Sequence, residues 1–287
     1  MIWQTSRFDI DLSVPKVMGI VNVTPDSFSD GGPYAQASEA LRHAEMLLEQ
    51  GADILDIGGE STRPGSPALP LEDELSRVLP VVREAVKWSV PISVDTYKPQ
   101  VMQAVLALGA DIINDVWALR QPGAQATVVA HKRCGVCLMH MHRDPQTMQA
   151  APMEGDVQAP VAQFLAERAQ ALRLRGVVHE RIVLDPGIGF GKTAAQNFSL
   201  LARQSELRAL GYPLLAGWSR KSTLGAATGQ AEPIARVSAS VAAALLAADR
   251  GAMLLRVHDV KETVEALQVW VAMQAQAQQS ASAGSAH

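Results

Sequence analysis

The chain has 287 residues, of which 48% are hydrophobic and 19% are charged, and its formal net charge is −4. This length allows one large domain, and the apolar content excludes a globally disordered chain. The acidic balance argues against nucleic acid as a main partner. The N-terminus lacks the pattern of a signal peptide, and the longest apolar stretch (237–248) is too short to span a bilayer. We therefore expect a cytoplasmic protein with no nucleic-acid partner and no membrane attachment.

Eight short apolar runs recur along the chain, and most of the gaps between them have a helical pattern. The runs lie at 17–23, 54–57, 91–94, 112–113, 136–139, 182–184, 214–217 and 253–255. Alternating strands and helices indicate parallel βα units. Eight units in one chain of this size predict an α/β fold, a closed (β/α)8 TIM barrel in a single domain. We expect this domain to span residues 1–273 and the Ala-, Gln- and Ser-rich tail, 274–287, to be disordered.

Two helices stand out by their apolar spacing, and a third stands out by its composition. The first is predicted at 38–50, where Ser38 can cap the start and Gly51 ends the helix. The second is predicted at 161–175. The Ala-rich helix at 235–250 offers a low-relief surface, so we expect a homodimer built partly on it. Packing of the same alanines against the barrel wall is the alternative.

Polar residues follow nearly every apolar run, at the end of the barrel where active sites lie. Asp95, Asn114 and Asp185 each end a different strand. Two carboxylates and an amide make an acceptor-rich pocket, suited to a ligand edge with several N–H donors, such as a 2-amino-4-oxo heterocycle. Any one of the three could instead cap the helix that follows it, but this alternative does not readily explain all three together.

Cationic residues also gather at strand ends or in the loops that follow. They are Arg63, Lys221, Arg256 and His258. Cations that converge on one barrel mouth indicate an anionic ligand, a phosphate or a carboxylate. Solvated surface charges are the alternative reading.

Several loops on this face carry further signals. The segments 24–36 and 58–70 are long for βα turns and rich in Gly, Pro and hydroxyl residues, as functional loops are. The GIGFGKT run at 187–193 fails the phosphate-loop pattern, so its glycines are expected to let the backbone approach a flat ligand closely. The SRKS run at 219–222 precedes a helix, whose first amides could bind an anion with help from Ser222.

Two cysteines and two histidines near the fifth run could suggest a metal or redox site. Cys134 and Cys137 have the Cys-x-x-Cys spacing, but the second pair that a structural zinc site needs is absent. We therefore expect buried structural thiols. His140 and His142 would share a strand face, and without a third ligand nearby a structural role is favoured.

A series of motifs resembles the dihydropteroate synthase family. They are NVTPDSFSDGG (22–32), GGESTRPGS (58–66), SVDT (93–96), INDV (113–116), LMHM (138–141), LDPGIGFGK (184–192), GWSRKS (217–222) and RVHDVKET (256–263). They occur in the family's order from about residue 14 to residue 267, and the whole series is far more specific than any one motif. At 142–144, HRD replaces the family's commoner Gln-Gly type of turn, which puts no catalytic residue in doubt.

The resemblance implies a TIM-barrel transferase that uses Mg²⁺, is typically a homodimer, and has defined site residues. The implied pterin-binding residues are Asp95, Asn114, Asp185, Lys221 and Arg256. The implied diphosphate site is Asn22, acting through Mg²⁺, with Thr62, Arg63, Arg256 and His258. The implied aminobenzoate site is Phe28, Thr62, Arg63, Pro64, Phe190, Lys221 and Ser222. The implied catalytic residues are Asp30, Arg63, Lys221, Arg256 and His258.

The activity implied is the condensation of 6-hydroxymethyl-7,8-dihydropterin diphosphate with 4-aminobenzoate, giving 7,8-dihydropteroate and diphosphate. We favour departure of the diphosphate before attack by the amine, because the pterin can delocalise the positive charge and no side-chain nucleophile is needed. One alternative is a methyltetrahydrofolate–corrinoid methyltransferase, which should lack the STRPG and SRKS runs. The other is a non-catalytic pterin-binding paralogue, which should have lost Arg63, Lys221 or Arg256.

Overall fold

Eight parallel strands form a closed barrel in the computed structural model of the chain. The structure describes residues 1–24, 32–61 and 65–284, with the side chains of 1–24, 35–61 and 65–277. Its strands are β1 (Ile2–Gln4), β2 (Asp9–Asp11), β3 (Lys16–Asn22), β4 (Ile54–Gly58), β5 (Ile92–Asp95), β6 (Ile112–Asp115), β7 (Gly135–Met139), β8 (Ile182–Asp185), β9 (Leu214–Ala216) and β10 (Ala252–Val257). Strands β3 to β10 make the barrel, and β10 closes it against β3. The predicted (β/α)8 fold is confirmed, and each of the eight apolar runs falls on a barrel strand.

Helices surround the barrel as the βα pattern predicts. They are α1 (Gly32–Glu49), α2 (Leu71–Ala85), α3 (Pro99–Leu108), α4 (Ala124–Ala130), α5 (Gln158–Arg173), α6 (Ala194–Ala202), α7 (Gln204–Leu207), α8 (Ser222–Thr228), α9 (Val237–Asp249) and α10 (Val260–Gly284). Among the described residues, no single helix has the length and apolarity needed to cross a membrane. Within the part of the chain that the structure describes, one pair of helical segments, Ser222–Thr228 with Pro233–Asp249, passes the test when taken together, and the two are bent by 75°.

The start of α1 differs from the sequence-based prediction. Helix α1 begins at Gly32, so Ser38 lies inside the helix and the prediction that it caps the start was wrong. Pro33 suits a first helical turn, which explains the earlier start. Gly51 follows the helix as expected, with φ +98°. Helix α10 continues to Gly284, beyond residue 273, because the Ala- and Gln-rich sequence propagates a helix that is already anchored in its first turns.

Side chains alternate across each barrel strand and so separate the core from the site. In β4, Leu55 and Ile57 belong to the layer between barrel and helices, whereas Ile54 packs inside the barrel. Asp56 also points inward and lies one step closer to the C-terminal end of the strand. The same alternation repeats around the barrel, so its interior is apolar at the N-terminal end and polar at the C-terminal end.

An N-terminal hairpin, which the sequence analysis did not predict, closes the bottom of the barrel. β1 and β2 pair antiparallel, and Trp3 is fully buried with its Nε1 donating to the Arg181 carbonyl at 3.0 Å. Trp3, Ile10 and Leu12 pack with the first inward residues of the barrel strands. This apolar plug leaves the polar C-terminal end as the accessible end of the barrel interior.

Candidate active site

Polar side chains from four strands form one hydrogen-bonded cluster at the C-terminal end of the barrel. Strand register sets Asp95 of β5 opposite Asn114 of β6. Asn114 Nδ2 donates to Asp56 Oδ2 at 3.0 Å. Arg256 of β10 donates from Nε to Asp56 Oδ2 at 2.6 Å and from Nη2 to Asp95 Oδ2 at 2.8 Å. Asp95, Asn114 and Arg256, which the sequence analysis placed in one pocket, are therefore joined in the structure.

Asp56 is the member of this cluster that the sequence analysis missed. It is completely buried, and its Oδ1 has no hydrogen-bond partner among the described residues. The Asp56 carboxylate is therefore balanced through Oδ2 alone, by Arg256 and Asn114. An acidic residue in the middle of the apolar run at 54–57 was the available signal, because period-2 alternation turns it into the barrel.

Burial raises the pKa of the carboxyl groups in this pocket. The pKa of Asp95 rises to about 7, because desolvation outweighs the opposing attraction of Arg256 and the nearby Asp56 charge adds to the rise. Burial also raises the pKa of Asp185, against the charges of Lys221 and Arg256 and a 2.7 Å hydrogen bond from the Gly187 amide. Carboxylates held in this way are ready to bind a ligand that supplies N–H donors.

Asp115 ends β6 but does not join the pocket. Its carboxylate accepts the amides of Trp117 at 2.8 Å and Leu119 at 2.7 Å. These bonds hold the turn after β6, where Ala118 and Leu119 have positive φ values of 50° and 57°. Asp115 therefore has a structural role in this turn, whereas its neighbour Asn114 donates to Asp56 in the pocket.

Lys221 approaches the pocket from the loop after β9. Its Nζ donates to the carbonyl of Ile188 and lies 4.8 Å from the centre of the Phe190 ring. Burial lowers the pKa of Lys221 to about 8, although Asp185 favours the charged form. Lys221 and Phe190, both candidate site residues, therefore lie in contact. Ser222 begins α8 and is exposed, and nothing in the structure joins it to Phe190.

The loops after β9 and β10 are tied together beside Lys221. The Ser219 hydroxyl lies 3.0 Å from His258 Nδ1 and accepts the His258 amide at 3.1 Å. Arg220, with φ +59°, forms an ion pair with Asp259 at 2.6 Å. The sequence analysis did not assign roles to Ser219 or Asp259, which fix the positions of two candidate cations, Lys221 and His258.

The glycine-rich loop after β8 is held by the chain itself. A side chain on Gly187, with φ +67°, would place Cβ 1.8 Å from the His140 carbonyl oxygen, so only glycine fits there. Gly191 packs in the same way against His142. The close approach that the sequence predicted toward a ligand is, at these two positions, an approach to the chain's own backbone and side chains.

Both cysteines and His140 are buried, as a structural role requires. Both thiols are free and buried, and burial raises the pKa of each. Arg181 Nη2 lies 3.2 Å from Cys134 Sγ. His140 is buried against Lys192 and Phe164. In the described ranges 1–24, 32–61 and 65–284, no group of three or more His, Cys, Asp or Glu side chains could hold a metal ion.

Asn22 is the candidate magnesium ligand that the structure describes. It ends β3, opposite Gly58 of β4, and is half-buried. Its carboxamide has no protein hydrogen-bond partner among the described residues. Magnesium at phosphate sites commonly takes one or two protein oxygens and completes its shell with water and substrate oxygens. A single amide oxygen at the barrel mouth fits that mode and does not fit an all-protein cage.

Five candidate residues lie outside the described residues. They are Phe28, Asp30, Thr62, Arg63 and Pro64. Before the residues 62–64, Glu60 accepts the Leu69 amide at 3.1 Å and the Tyr97 hydroxyl at 2.9 Å. The roles of the five residues remain predictions.

Comparison with known proteins gives one consistent result. The profile of the pterin binding enzyme family matches residues 18–258. The chain is 52% identical over 277 residues to a dihydropteroate synthase from Neisseria meningitidis serogroup B, covering 95% of the chain and 97% of the relative. The solved structure of Xanthomonas albilineans dihydropteroate synthase with 4-aminobenzoic acid superposes with a TM-score of 0.90 at 52% identity, covering 96% and 99%. Burkholderia cenocepacia dihydropteroate synthase complexed with 7,8-dihydropteroate gives 0.89 at 52%, covering 97% and 98%.

Proposed function

The chain belongs to the family of pterin-binding enzymes that includes the dihydropteroate synthases, and from this premise we propose how it acts. It condenses 6-hydroxymethyl-7,8-dihydropterin diphosphate with 4-aminobenzoate, and the products are 7,8-dihydropteroate and diphosphate. The observation that carries the proposal is the Asp56–Asn114–Arg256–Asp95 cluster at the open end of the barrel. A second catalytic class is not favoured by any feature of the described site.

The pterin is bound mainly by side chains at the C-terminal ends of barrel strands. Asp95 and Asp185 accept N–H donors of the pterin edge, and Asn114 offers an amide beside them. Arg256, half-buried between two carboxylates, presents the face of its guanidinium to the flat ring. Lys221 adds a donor from the opposite side. The hydrogen bonds within the cluster support this assignment, because they hold the acceptors in place before the ligand arrives.

The leaving diphosphate faces the cations. Arg256 and His258 stabilise its negative charge, and we assign Thr62 and Arg63 of the second loop to the same role. Asn22 would hold Mg²⁺, which would supply further charge neutralisation. The Ser219 hydroxyl fixes the orientation of the His258 ring through its contact with Nδ1 at 3.0 Å. This convergence of donors makes the diphosphate a good leaving group without a protein nucleophile.

Departure of the diphosphate precedes attack by the amine. The pterin spreads the positive charge left on its exocyclic methylene, and the neutral arylamine then attacks that carbon. The anilinium so formed is acidic, so it loses its proton to a weak base. Lys221, Phe190 and Ser222 form the described part of the aminobenzoate site, with Phe28, Thr62, Arg63 and Pro64 from the loops. Asp30 acts near the reacting carbon, and the two loops exclude water that would capture the cation.

Diphosphate release tests the proposal directly. Purified protein with the pterin diphosphate and Mg²⁺ should release diphosphate only when 4-aminobenzoate is added, and 7,8-dihydropteroate should appear in equal amount. Binding of the pterin without turnover would identify a non-catalytic paralogue instead. Methyl transfer from methyltetrahydrofolate to a corrinoid would identify the related methyltransferase.

A homodimer is the proposed assembly. In α9, Ala243, Ala247 and Ala248 are buried against the chain's own barrel, so these alanines follow the packing alternative. The neighbouring surface supports an interface more strongly, because an apolar groove of about 430 Å³ lies between α9 and α10. It is lined by Leu245, Ala266, Val269, Trp270 and Met273. Exposed apolar surface of this kind commonly marks an interface. The cytoplasm remains the proposed location.

A further inference from the structure

Lys192 is a buried cation that the proposed mechanism does not use. Its side chain is 2% exposed, and Nζ contacts His140 Nδ1 at 2.9 Å, the Gly187 carbonyl at 2.9 Å and the Phe190 carbonyl at 3.2 Å. No carboxylate of the described residues lies within hydrogen-bond distance of Nζ. Burying an ammonium group without an ion-pair partner is costly, and here burial lowers the pKa of Lys192 to about 7. The three donors of the ammonium are nevertheless matched by three acceptors.

His140, which contacts Lys192 Nζ, is itself held in place by backbone and ring contacts. It follows β7, and its amide donates to the Asp185 carbonyl at 2.9 Å. Its ring meets Phe164 edge-on, with centroids 5.0 Å apart. Burial and the Lys192 charge lower the pKa of His140 to about 2, so the ring is neutral at physiological pH. Nδ1 can then accept a hydrogen bond from Lys192.

The carbonyls that Lys192 holds belong to the loop between β8 and α6, and the same loop supports Lys221. The Ile188 carbonyl accepts from Lys221 Nζ, and the Phe190 ring lies 4.8 Å from that atom. The loop is also held at Gly189, whose amide donates to Asn197 Oδ1 at 2.9 Å. Lys192 therefore holds the backbone at Gly187 and Phe190, and this same loop contacts Lys221.

We propose that Lys192 is a positioning residue for the aminobenzoate site, which it serves by holding the Gly187 and Phe190 carbonyls against His140 so that Phe190 and Ile188 stay in contact with Lys221. This inference rests on the proposed function, since it assigns Phe190 and Lys221 to the second substrate. Of the residues assigned to the pterin, Asp95, Asn114 and Arg256 lie on other strands, whereas Asp185 and Lys221 border this loop.

The substitution Lys192→Met tests the inference, because Met fills similar volume but donates no hydrogen bond. We expect KM for 4-aminobenzoate to rise by at least about tenfold, as small misplacements of binding groups can cost that much. KM for the pterin diphosphate should rise by a clearly smaller factor, because most of the proposed pterin-binding residues lie on other strands and only Asp185 and Lys221 border this loop. His140→Leu removes the acceptor for Nζ and should raise KM for aminobenzoate in the same direction, which gives a second test if Lys192→Met does not fold.

Two further variants separate positioning from a general loss of stability. Leu172→Ala deletes a fully buried side chain in the last turn of α5 and should lower the melting temperature with neither KM changed. In a Phe190→Ala background, Lys192→Met should raise KM for aminobenzoate by less than half its effect in the wild type, because both act through one ring. Equal rises in both KM values, unchanged KM values, or fully additive effects would overturn the proposal.

Amide hydrogen exchange tests the positioning role without requiring turnover, so this role and the proposed function can fail separately. Lys192→Met should speed exchange at residues 187–191 relative to Leu172→Ala, whether or not the protein turns over substrate. Absence of dihydropteroate formation by the wild-type protein would refute the proposed function alone. Unchanged exchange in Lys192→Met would refute the positioning role alone.

Discussion

Arg220 and Asp259 are joined by two hydrogen bonds, 2.6 Å from Nη2 to Oδ1 and 3.2 Å from Nε to Oδ2. Arg220 precedes Lys221 and Asp259 follows His258, so the pair ties together the loops that carry two proposed site cations. Asp259 is 8% exposed, which protects the pair from solvent screening. The left-handed backbone at Arg220 is held by the same pair and by the Ser240 hydroxyl, which accepts the Arg220 amide at 2.9 Å.

Arg220→Lys should lower kcat/KM for both substrates, because Lys keeps the charge but cannot form the two-bond contact. A loss of about 1–2 kcal/mol, or roughly 5- to 30-fold, is expected for one charge-assisted hydrogen bond in this setting. Steady-state kinetics would measure it. Arg203→Lys is the matched control, because Arg203 also bonds carboxylates with both sides of its fork but at the surface. An exposed pair of this kind contributes little, so equal losses in the two variants would contradict the prediction.

Asp185→Asn should weaken binding of a pterin, because an amide cannot accept the two parallel N–H bonds that a carboxylate can. Losing a charge-assisted bond to a buried ligand edge should cost roughly 1.5–3 kcal/mol. Calorimetry with a pterin and no second substrate would measure the change. Asp73→Asn, an exposed residue in the first turn of α2, serves as the control. Unchanged pterin affinity in Asp185→Asn would remove Asp185 from the pocket.

The pH dependence of kcat/KM should follow Asp95 and Lys221. Burial raises the pKa of Asp95 to about 7, so its acceptor form is lost as the pH falls below that value. Burial lowers the pKa of Lys221 to about 8, so its charge is lost as the pH rises above that value. Activity should therefore peak between these values and fall on both sides. In Asp95→Asn the acidic limb should flatten while the alkaline limb stays, and an unaltered acidic limb would assign it to another group.

The strand-end residues of the site could be predicted because their positions depend on local sequence. Asp95, Asn114, Asp185 and Arg256 follow short apolar runs, and parallel strands in a barrel bring such ends together. Their partners could not be predicted in the same way. The bond from Arg256 to Asp56 joins residues 200 positions apart, and it exists only once β4, β5 and β10 have their register.

Other misses have a similar physical origin. Lys192 resembles an ordinary surface lysine before a helix, and only the folded loop shows that Nζ is buried against three acceptors. The strands of the N-terminal hairpin have three residues each, too few for alternation to be visible, and they are stabilised by burial of Trp3 under the barrel. The residues of the two long loops that were predicted to act, Arg63 and Asp30 among them, lie outside the described residues.

The apolar groove between α9 and α10 should be part of the dimer interface. Val269→Glu and Met273→Glu each put a charge on this surface, where the side chains are 72% and 53% exposed in the single chain. Burying one such apolar side chain contributes about 1.5–3 kcal/mol, so either variant should shift the protein toward monomer. Light scattering at micromolar concentration would show the mass. Leu174→Glu, at a site 80% exposed after α5, is the control and should leave the dimer intact. A monomeric wild type would exclude a stable dimer.

Substrates should bind in order, the pterin diphosphate first and 4-aminobenzoate second. The pterin groups end strands that are fixed before binding, whereas Phe28, Arg63 and Pro64 lie in loops rich in Gly, Ser and Pro. Ordering a loop residue costs on the order of 1 kcal/mol, and an anion that contacts Arg63 would offset part of that cost. Aminobenzoate, and sulfonamides that mimic it, should therefore bind weakly to the bare protein and far more tightly with a pterin and diphosphate present.

Titration calorimetry at fixed Mg²⁺ would measure both affinities, and Arg63→Ala should abolish the difference. Equal aminobenzoate affinity with and without diphosphate would refute the ordered scheme, because the second site would then be complete without the anion.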